Sequence, residues 1–200
     1  MPFVILPTNS ASGGYEITNS LRFNSGSSDN LSRTPSASNR KTWTFSTWIK
    51  FNRTGSNQGL LVAGTSYTEF GYLGIKIGNG DYLDVGMGTG IFRRTTALYR
   101  DVSAWYHIVV GFDTTQATAS NRVKVYVNGS QITDFSISND PASNTDYGLN
   151  SNALTTVGRN SESAGEYFNG YMAETYLIDG QQLEPSSFGE TDFDTGIWKP

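Results

Sequence analysis

The chain has 200 residues, with 14 basic and 18 acidic side chains, a net charge of −4, one histidine and no cysteine. A chain without cysteine has no disulfide, no thiolate metal ligand and no thiol nucleophile, and a chain of this length buries enough apolar surface to fold without them. The acidic balance and the lack of long basic runs disfavour nucleic-acid binding, and no apolar run approaches the ~20 residues of a membrane-spanning helix.

Residues 1–14 are predicted to form an arm that precedes a single domain over residues 15–200. A short apolar segment is followed by residues 8–14, whose Ser, Asn and Gly content is typical of a flexible linker. Two interpretations remain open: a frayed end or edge strand, and a docking strand that adds to a neighbouring subunit. The segment lacks the basic start and the long apolar core of a signal peptide. The docking residues would be Phe3, Val4, Ile5 and Leu6.

The rest of the chain alternates β-branched and aromatic runs with turns rich in Gly, Asn and Asp, which is typical of an antiparallel β-sandwich. The predicted strands are residues 15–23, 43–51, 60–63, 72–77, 82–86, 91–98, 105–113, 123–132, 153–158 and 168–178. Residues 138–152 are predicted to be a long polar loop. Residues 184–189, with an early Pro and a late Gly, are predicted to be a short helix.

The segment from Trp43 to Phe51 alternates strictly, so it predicts a strand with one apolar and one polar face. The core-facing side chains are Trp43, Phe45, Ile49 and Phe51, and the opposite ones are Thr44, Ser46, Trp48 and Lys50. Trp48 is thus a large aromatic side chain on a polar face, which makes it the best glycan-binding candidate. The alternative is that another segment covers it. A second aromatic group, which binds glycans or packs locally, consists of Tyr67, Phe70 and Tyr72.

Residues 105–132 predict the central hairpin of the fold, and Asn128-Gly129 is the strongest sequence signal for a two-residue turn. His107 shares a strand face with Trp105. We interpret His107 as structural, because one histidine offers too few ligands for a zinc site. The chain also lacks the Gly-x-Ser-x-Gly turn that presents a nucleophilic serine.

Calcium is the most plausible ion for this chain, because loop carboxylates and amides supply the oxygen ligands that it takes. The candidate ligands are Asp140, Asn144 and Asp146 in one loop, or Asp113 and Asp179 at strand ends. Loop Asp and Asn residues are also common turn formers, so both interpretations stay open. No other cofactor is expected.

Several segments together resemble the laminin-G-like, pentraxin-like branch of the concanavalin A-like jelly-roll superfamily. They are Leu21–Phe23, Thr44–Lys50, Trp105–Val109, Phe112–Asp113, Val125–Gly129, Val157–Arg159 and Phe168–Glu174. The resemblance implies an all-β, two-sheet antiparallel sandwich whose curved inner sheet and edge loops often bind glycans, calcium or proteins. Fold alone does not decide among these ligands.

Residues 177–189 resemble a variant that is common in structural proteins of tailed bacteriophages, especially marine ones. This resemblance implies a non-enzymatic virion protein, either a capsid decoration or a tail-fibre component, that is made in the host cytoplasm. We therefore expect it on the particle surface, self-associated, docked on other virion proteins and in contact with host-surface glycans. The alternative is a dedicated carbohydrate-binding module for host adsorption.

A glycan hydrolase is a weaker alternative, because glycosidases need two carboxylates close to the scissile bond. Related hydrolases carry them on alternate residues of one strand, in a Glu-x-Asp-x-Glu type of pattern. None of the seven Glu residues begins such a pattern. The nearest pairs are Asp81 with Asp84, which point to opposite faces of a regular strand, and Asp192 with Asp194 in a predicted loop.

Overall fold

The computed structural model describes residues 17–64, 72–86, 90–161 and 165–200, and within them it shows fifteen strands and three short 3-10 turns. The predicted docking arm, Tyr67 and Phe70 lie outside the described residues. The strands are β1 (Leu21–Phe23), β2 (Leu31–Arg33), β3 (Thr42–Phe51), β4 (Gln58–Gly64), β5 (Tyr72–Ile77), β6 (Leu83–Gly86), β7 (Ile91–Thr95), β8 (Tyr106–Asp113), β9 (Val123–Val127), β10 (Ser130–Gln131), β11 (Phe135–Ser138), β12 (Thr155–Val157), β13 (Gly170–Asp179), β14 (Glu190–Thr191) and β15 (Trp198–Lys199). The 3-10 turns are Ser25–Ser27, Ala119–Asn121 and Pro185–Ser187.

Two large antiparallel sheets face each other. Sheet A has the order β1-β13-β3-β8-β9-β10, and sheet B has the order β11-β7-β6-β5-β4-β12-β2. The strands β14 and β15 form a separate two-stranded hairpin that joins neither large sheet. Among the described residues, no helix has the length and apolar character needed to cross a membrane.

The core lies between the two sheets, and β3 supplies its largest side chains. The predicted alternation is confirmed: Trp43, Phe45, Ile49 and Phe51 are at most 1% exposed and belong to the core. The rings of Trp43 and Phe112 stack with centroids 4.8 Å apart. Burying each aromatic side chain of this kind contributes about 1.5–3 kcal/mol, so β3 and β8 hold the sandwich together.

The predicted central hairpin is also confirmed. Strands β8 and β9 pair from Ile108 opposite Val127 to Phe112 opposite Val123. The turn after β9 consists of Asn128 and Gly129, with φ of 49° and 77°. Two successive positive φ angles define the tight turn that Asn-Gly favours, and β10 then pairs back onto β9.

Several predicted elements differ from the structure. The first strand is confined to residues 21–23, and the short β2 and β11 were not predicted. The segment 138–152 is not purely polar, because Tyr147 and Leu149 are buried in the core. The predicted helix near residue 185 is a single 3-10 turn. These differences occur where strands are short and contacts are distant in sequence.

Candidate functional site

Three of the four tryptophans of the chain line one cavity of about 300 Å³ on the outer face of sheet A. Trp48 comes from β3, Trp105 precedes β8 and Trp198 lies in β15. The fourth tryptophan, Trp43, lies in the core. The rest of the lining consists of Ile17, Thr18, Asn19, Ser20, Ala173, Lys199 and Pro200. The cavity therefore combines a large aromatic surface with a few polar groups, which is the usual composition of a small-molecule site.

Strand register brings the aromatic rings together. Trp48 lies directly opposite His107 in the β3–β8 pair, and such cross-strand neighbours contact each other on one sheet face. Their rings stack with centroids 4.8 Å apart and an interplanar angle of 15°. Trp198 lies at the Nδ1 edge of the imidazole, with centroids 5.8 Å apart and an angle of 13° between the rings. His107 thus contacts one indole ring through its face and another through its edge.

Hydrogen bonds fix the protonation of His107. The Nε1–H of Trp198 donates to Nδ1 of His107 at 2.8 Å. Because an indole nitrogen only donates, Nδ1 has no proton, and Nε2 carries the proton towards the Ser46 hydroxyl, 2.9 Å away. Burial lowers the pKa of His107 to about 4. The side chain is therefore neutral at pH 7, which agrees with the structural role predicted for it.

The β14–β15 hairpin places Trp198 beside the imidazole. Asp192 organises its turn by accepting hydrogen bonds from the backbone N–H of Asp194 and from the N–H and hydroxyl of Thr195. The bonds from Thr195 are the main reason why the pKa of Asp192 falls to about 2. Lys199 adds an ion pair with Asp192 at 3.2 Å. A local network thus shapes the hairpin that carries the third tryptophan.

Trp48 lies on the predicted face, and the structure matches the alternative in which other parts of the chain cover its side chain. Its side chain is only 7% exposed, because His107 stacks on it and the β14–β15 hairpin adjoins the same cavity. Its Nε1 is buried and has no hydrogen-bond partner among the described residues. Trp105, at 37% exposed, is the accessible ring of the cavity.

Of the three tryptophans of this cavity, sequence reasoning missed two, Trp105 and Trp198. Trp105 could have been found from the sequence, because strand alternation places it on the same face as His107. Trp198 gave no such signal, because its contact with His107 spans 91 residues. Of the second aromatic group, Tyr72 begins β5, and glycan binding by that group stays a prediction.

The three loop residues proposed as calcium ligands each contact a different basic side chain. Asp140 forms an ion pair with Arg93 at 2.6 Å, and Lys41 donates to the side chain of Asn144 at 3.1 Å. Asp146 lies 3.9 Å from Arg40. Within the described residues, no group of three or more His, Asp or Glu side chains is arranged to hold a metal ion. Calcium binding stays a prediction.

The two alternative calcium ligands shape turns. Asp113 accepts hydrogen bonds from Thr42, Thr115 and Gln116, and these hydrogen bonds outweigh burial and lower its pKa. Asp179 accepts from the amide of Asn150 at 3.0 Å. Their oxygen atoms therefore already stabilise the chain segments that follow or face these strands.

The carboxylates considered for hydrolysis have structural partners. Asp84 binds Arg94 through both oxygens, at 2.8 and 2.9 Å. Asp81 lies in a turn before β6 and binds Arg100 at 3.0 Å. Both carboxylates are 5% exposed. Burial with a dedicated cation is typical of structural ion pairs rather than of a carboxylate pair that contacts a sugar.

A larger cavity, of about 440 Å³, opens between β2 and β13 at one edge of the sandwich. Its floor includes Phe45 and Leu61 of the core, and serine side chains line its rim. No tryptophan lines it. We therefore regard the smaller, aromatic cavity as the better candidate site.

The Laminin_G_3 family model, described as the concanavalin A-like lectin/glucanases superfamily, matches residues 24–184. The chain belongs to this superfamily. The predicted all-β jelly-roll fold is thereby confirmed. No curated protein matches the chain significantly.

Several solved structures are similar to the chain in fold at low identity. The CBM40 of the Ruminococcus gnavus IT-sialidase, bound to α2,3-sialyllactose, is 15% identical with a TM-score of 0.53, covering 74% of this chain and 80% of that one. Domain 4 of the Geobacillus stearothermophilus arabinanase AbnA, in complex with arabinotriose, is 18% identical with a TM-score of 0.51, covering 74% of this chain.

This chain spans 65% of the chain of that arabinanase domain, which is less than two thirds of its length. The heptameric SAP-like pentraxin of Limulus polyphemus is 14% identical with a TM-score of 0.50, covering 79% of this chain and 72% of that one. At these identities the similarity concerns the fold.

Proposed function

We propose that this protein is a non-catalytic, lectin-like module that binds glycans in the cavity lined by Trp48, Trp105 and Trp198. The observation that carries the proposal is the convergence of three tryptophans from three separate segments on one cavity outside the core. Aromatic rings give a large contact area to the apolar faces of a ligand, and their N–H groups find polar partners when buried. Sugars offer both kinds of surface.

The polar groups of the cavity suit a hydroxyl-rich ligand. Thr18, Asn19 and Ser20 line one side and supply hydroxyl and amide groups. The unpartnered Nε1–H of Trp48 is a further donor for an acceptor that reaches it, and a buried donor left without a partner costs about 1–3 kcal/mol. A ligand hydroxyl that accepts from it would remove that cost.

The charges of the cavity favour a neutral glycan. Lys199 is the one charged side chain among the described residues that line it, and it already pairs with Glu190 and Asp192. No Asp or Glu side chain among the described residues lines the cavity. A ligand bound there meets no acid or base pair of the kind that glycosidases use, so the proposed activity is binding without hydrolysis.

Similarity to known structures supports glycans as the ligand class. Arabinotriose is bound by the arabinanase domain and sialyllactose by the CBM40 domain. Both are modules of enzymes that act on glycans, and their fold is the fold of this chain. We infer the class of ligand from this similarity and the position of the site from the tryptophans.

We further propose a virion setting, in which the protein decorates the capsid or forms part of a tail fibre of a tailed bacteriophage. The support is the resemblance of residues 177–189 to phage structural proteins. In such a setting the module docks on other virion proteins, self-associates and contacts host-surface glycans. Cryo-EM of phage particles tests this setting. If neither the capsid nor the tail shows density for the protein, the virion setting is excluded.

A glycan array followed by titration calorimetry tests the binding function. We expect a neutral glycan to bind, and Trp105→Ala to weaken the affinity about tenfold or more, as loss of a central aromatic contact does. Phe193→Ala is the matched control, since Phe193 is 99% exposed and does not line the cavity. Equal affinity of the wild type and both variants would exclude this cavity as the binding site. Release of sugar products would indicate a hydrolase instead.

A further inference from the structure

We infer that the β14–β15 hairpin is an acid-released wall of the aromatic cavity, held closed by the hydrogen bond from Trp198 to the neutral imidazole of His107. The inference concerns the regulation of the proposed binding site. Only its consequence for ligand affinity rests on the proposed function. The opening itself is a property of the free protein.

The hairpin is attached to the sandwich in a way that allows it to open. Its two strands pair with each other and, within the described chain, with no strand of sheet A or sheet B. Trp198 reaches across to sheet A, where it lies at the edge of the His107 ring and donates to Nδ1 at 2.8 Å. Side-chain contacts rather than a backbone ladder therefore hold the hairpin against the cavity.

A proton on Nδ1 would break this attachment. The imidazolium carries N–H groups on both nitrogens, so Nδ1 and the indole Nε1 of Trp198 would become two donors facing each other at 2.8 Å. The ring is 1% exposed, so the new charge would also lie in a site that disfavours it. Opening of the hairpin relieves both costs, because it exposes the imidazolium to water.

In the part of the chain that the structure describes, no Asp or Glu side chain contacts the imidazole to offset the charge. The elements packed against the ring present Ser46 and Trp48 from β3, Trp198 from β15 and Phe188 from the preceding segment. The charged groups of the hairpin, Lys199, Glu190 and Asp192, pair with one another. Glu174 on β13 accepts a hydrogen bond from Tyr176, and Glu184 pairs with Lys124 of β9.

Proton linkage sets the size of the effect. The pKa of His107 is about 4 in the closed state, against an ordinary value of 6.5 for an exposed histidine. Between these values the open state binds more protons than the closed state. The ratio of open to closed hairpin therefore rises by about 300-fold from above pH 6.5 to below pH 4. Because Trp198 is one of the three aromatic walls, acid opening weakens any ligand bound in the cavity.

NMR of the free protein tests the inference, because a chain with a single histidine gives a single imidazole spectrum. We expect the imidazole to be neutral and Nε2-protonated at pH 7. As the pH falls to 4, the indole N–H of Trp198 should lose its protection from solvent exchange. The indole signal of the core residue Trp43 should stay unchanged in that range. The Trp198→Phe variant assigns the indole signal.

Two variants separate histidine protonation from other acid effects. In His107→Gln, which keeps a neutral side chain at every pH, the protection factor of the Trp198 indole N–H, its exchange rate relative to that of a free indole at the same pH, should become independent of pH between 7 and 4. In Glu190→Gln, the acid response should remain. The inference is overturned if His107→Gln keeps the wild-type acid response, or if the wild-type imidazole titrates near pH 6.5 while the hairpin stays protected. No ligand is present, so failure here leaves the proposed function standing.

Discussion

Gly129 lies against the indole ring of Trp198, where a Cβ atom would overlap with the ring. Gly129 also has a φ of 77° because it occupies the second position of the turn between β9 and β10. The same glycine thus adopts the positive φ that the turn requires and leaves room for Trp198, which donates to His107. The turn between β9 and β10 therefore forms part of the surface against which Trp198 packs.

Gly129→Ala should therefore destabilise the protein by more than its φ alone explains. We expect a loss of about 2–4 kcal/mol, from the strained positive φ and the forced displacement of a packed ring. Gly196→Ala is the control, because Gly196 has a φ of 68° and open space where a Cβ would lie. It should cost only about 1 kcal/mol. Urea unfolding measures both, and equal losses would contradict the packing argument.

Phe112→Ala should be among the most damaging substitutions in the core. Phe112 is fully buried and contacts Trp43, Phe92 and Tyr147. Truncating such a side chain costs about 3–5 kcal/mol. Leu98→Ala, at a side chain that is 46% exposed, should change the free energy of unfolding by less than about 0.5 kcal/mol. A tolerated Phe112→Ala variant would contradict the assigned core.

The free energy of unfolding should rise between pH 4 and pH 6.5. The unfolded chain binds the His107 proton at about 6.5 and the folded chain only at about 4, so the unfolded state holds more protons in that window. The contribution is complete above pH 6.5 and is lost as the pH falls towards 4. It amounts to about 3 kcal/mol. Urea unfolding of wild type and His107→Gln at several pH values isolates it, since the variant should lack this slope.

Asp192→Ala should loosen the hairpin without affecting the sandwich. The substitution removes the acceptor for Thr195 and one ion-pair partner of Lys199. We expect faster solvent exchange of the Trp198 indole N–H at pH 7 and an unchanged core signal from Trp43. Asp194→Ala is matched in charge and position, and it should leave the exchange rate unchanged. If both variants behave alike, the turn network does not position Trp198.

The core-facing side of a strand could be predicted from sequence where apolar and polar side chains alternate, as they do along β3. The same alternation did not predict that the opposite side, with Thr44, Ser46 and Trp48, is also buried. Strand β2 was missed because its three residues, Leu31–Arg33, are all exposed at a sheet edge and show no alternation. Edge strands of this length carry little pattern.

The candidate site could be predicted only in part, for a related reason. Alternation along one strand placed Trp48 on the correct face, because that property is local. His107 stacks on it, and the third tryptophan of its cavity, Trp198, is distant in the chain and near only through tertiary packing. Likewise Asp84 pairs with Arg94 across two adjacent strands, and nothing in the spacing of charges distinguishes such a pair from catalytic carboxylates.

The buried histidine also governs how the charge of the whole molecule depends on pH near neutrality. Histidine is the one side chain whose ordinary pKa lies between 5 and 8, and the only one in this chain is shifted to about 4. The side-chain charge therefore stays near −4 from pH 6 to pH 8. Electrophoretic mobility and the salt dependence of any charge-driven association should be almost flat from pH 6 to pH 8.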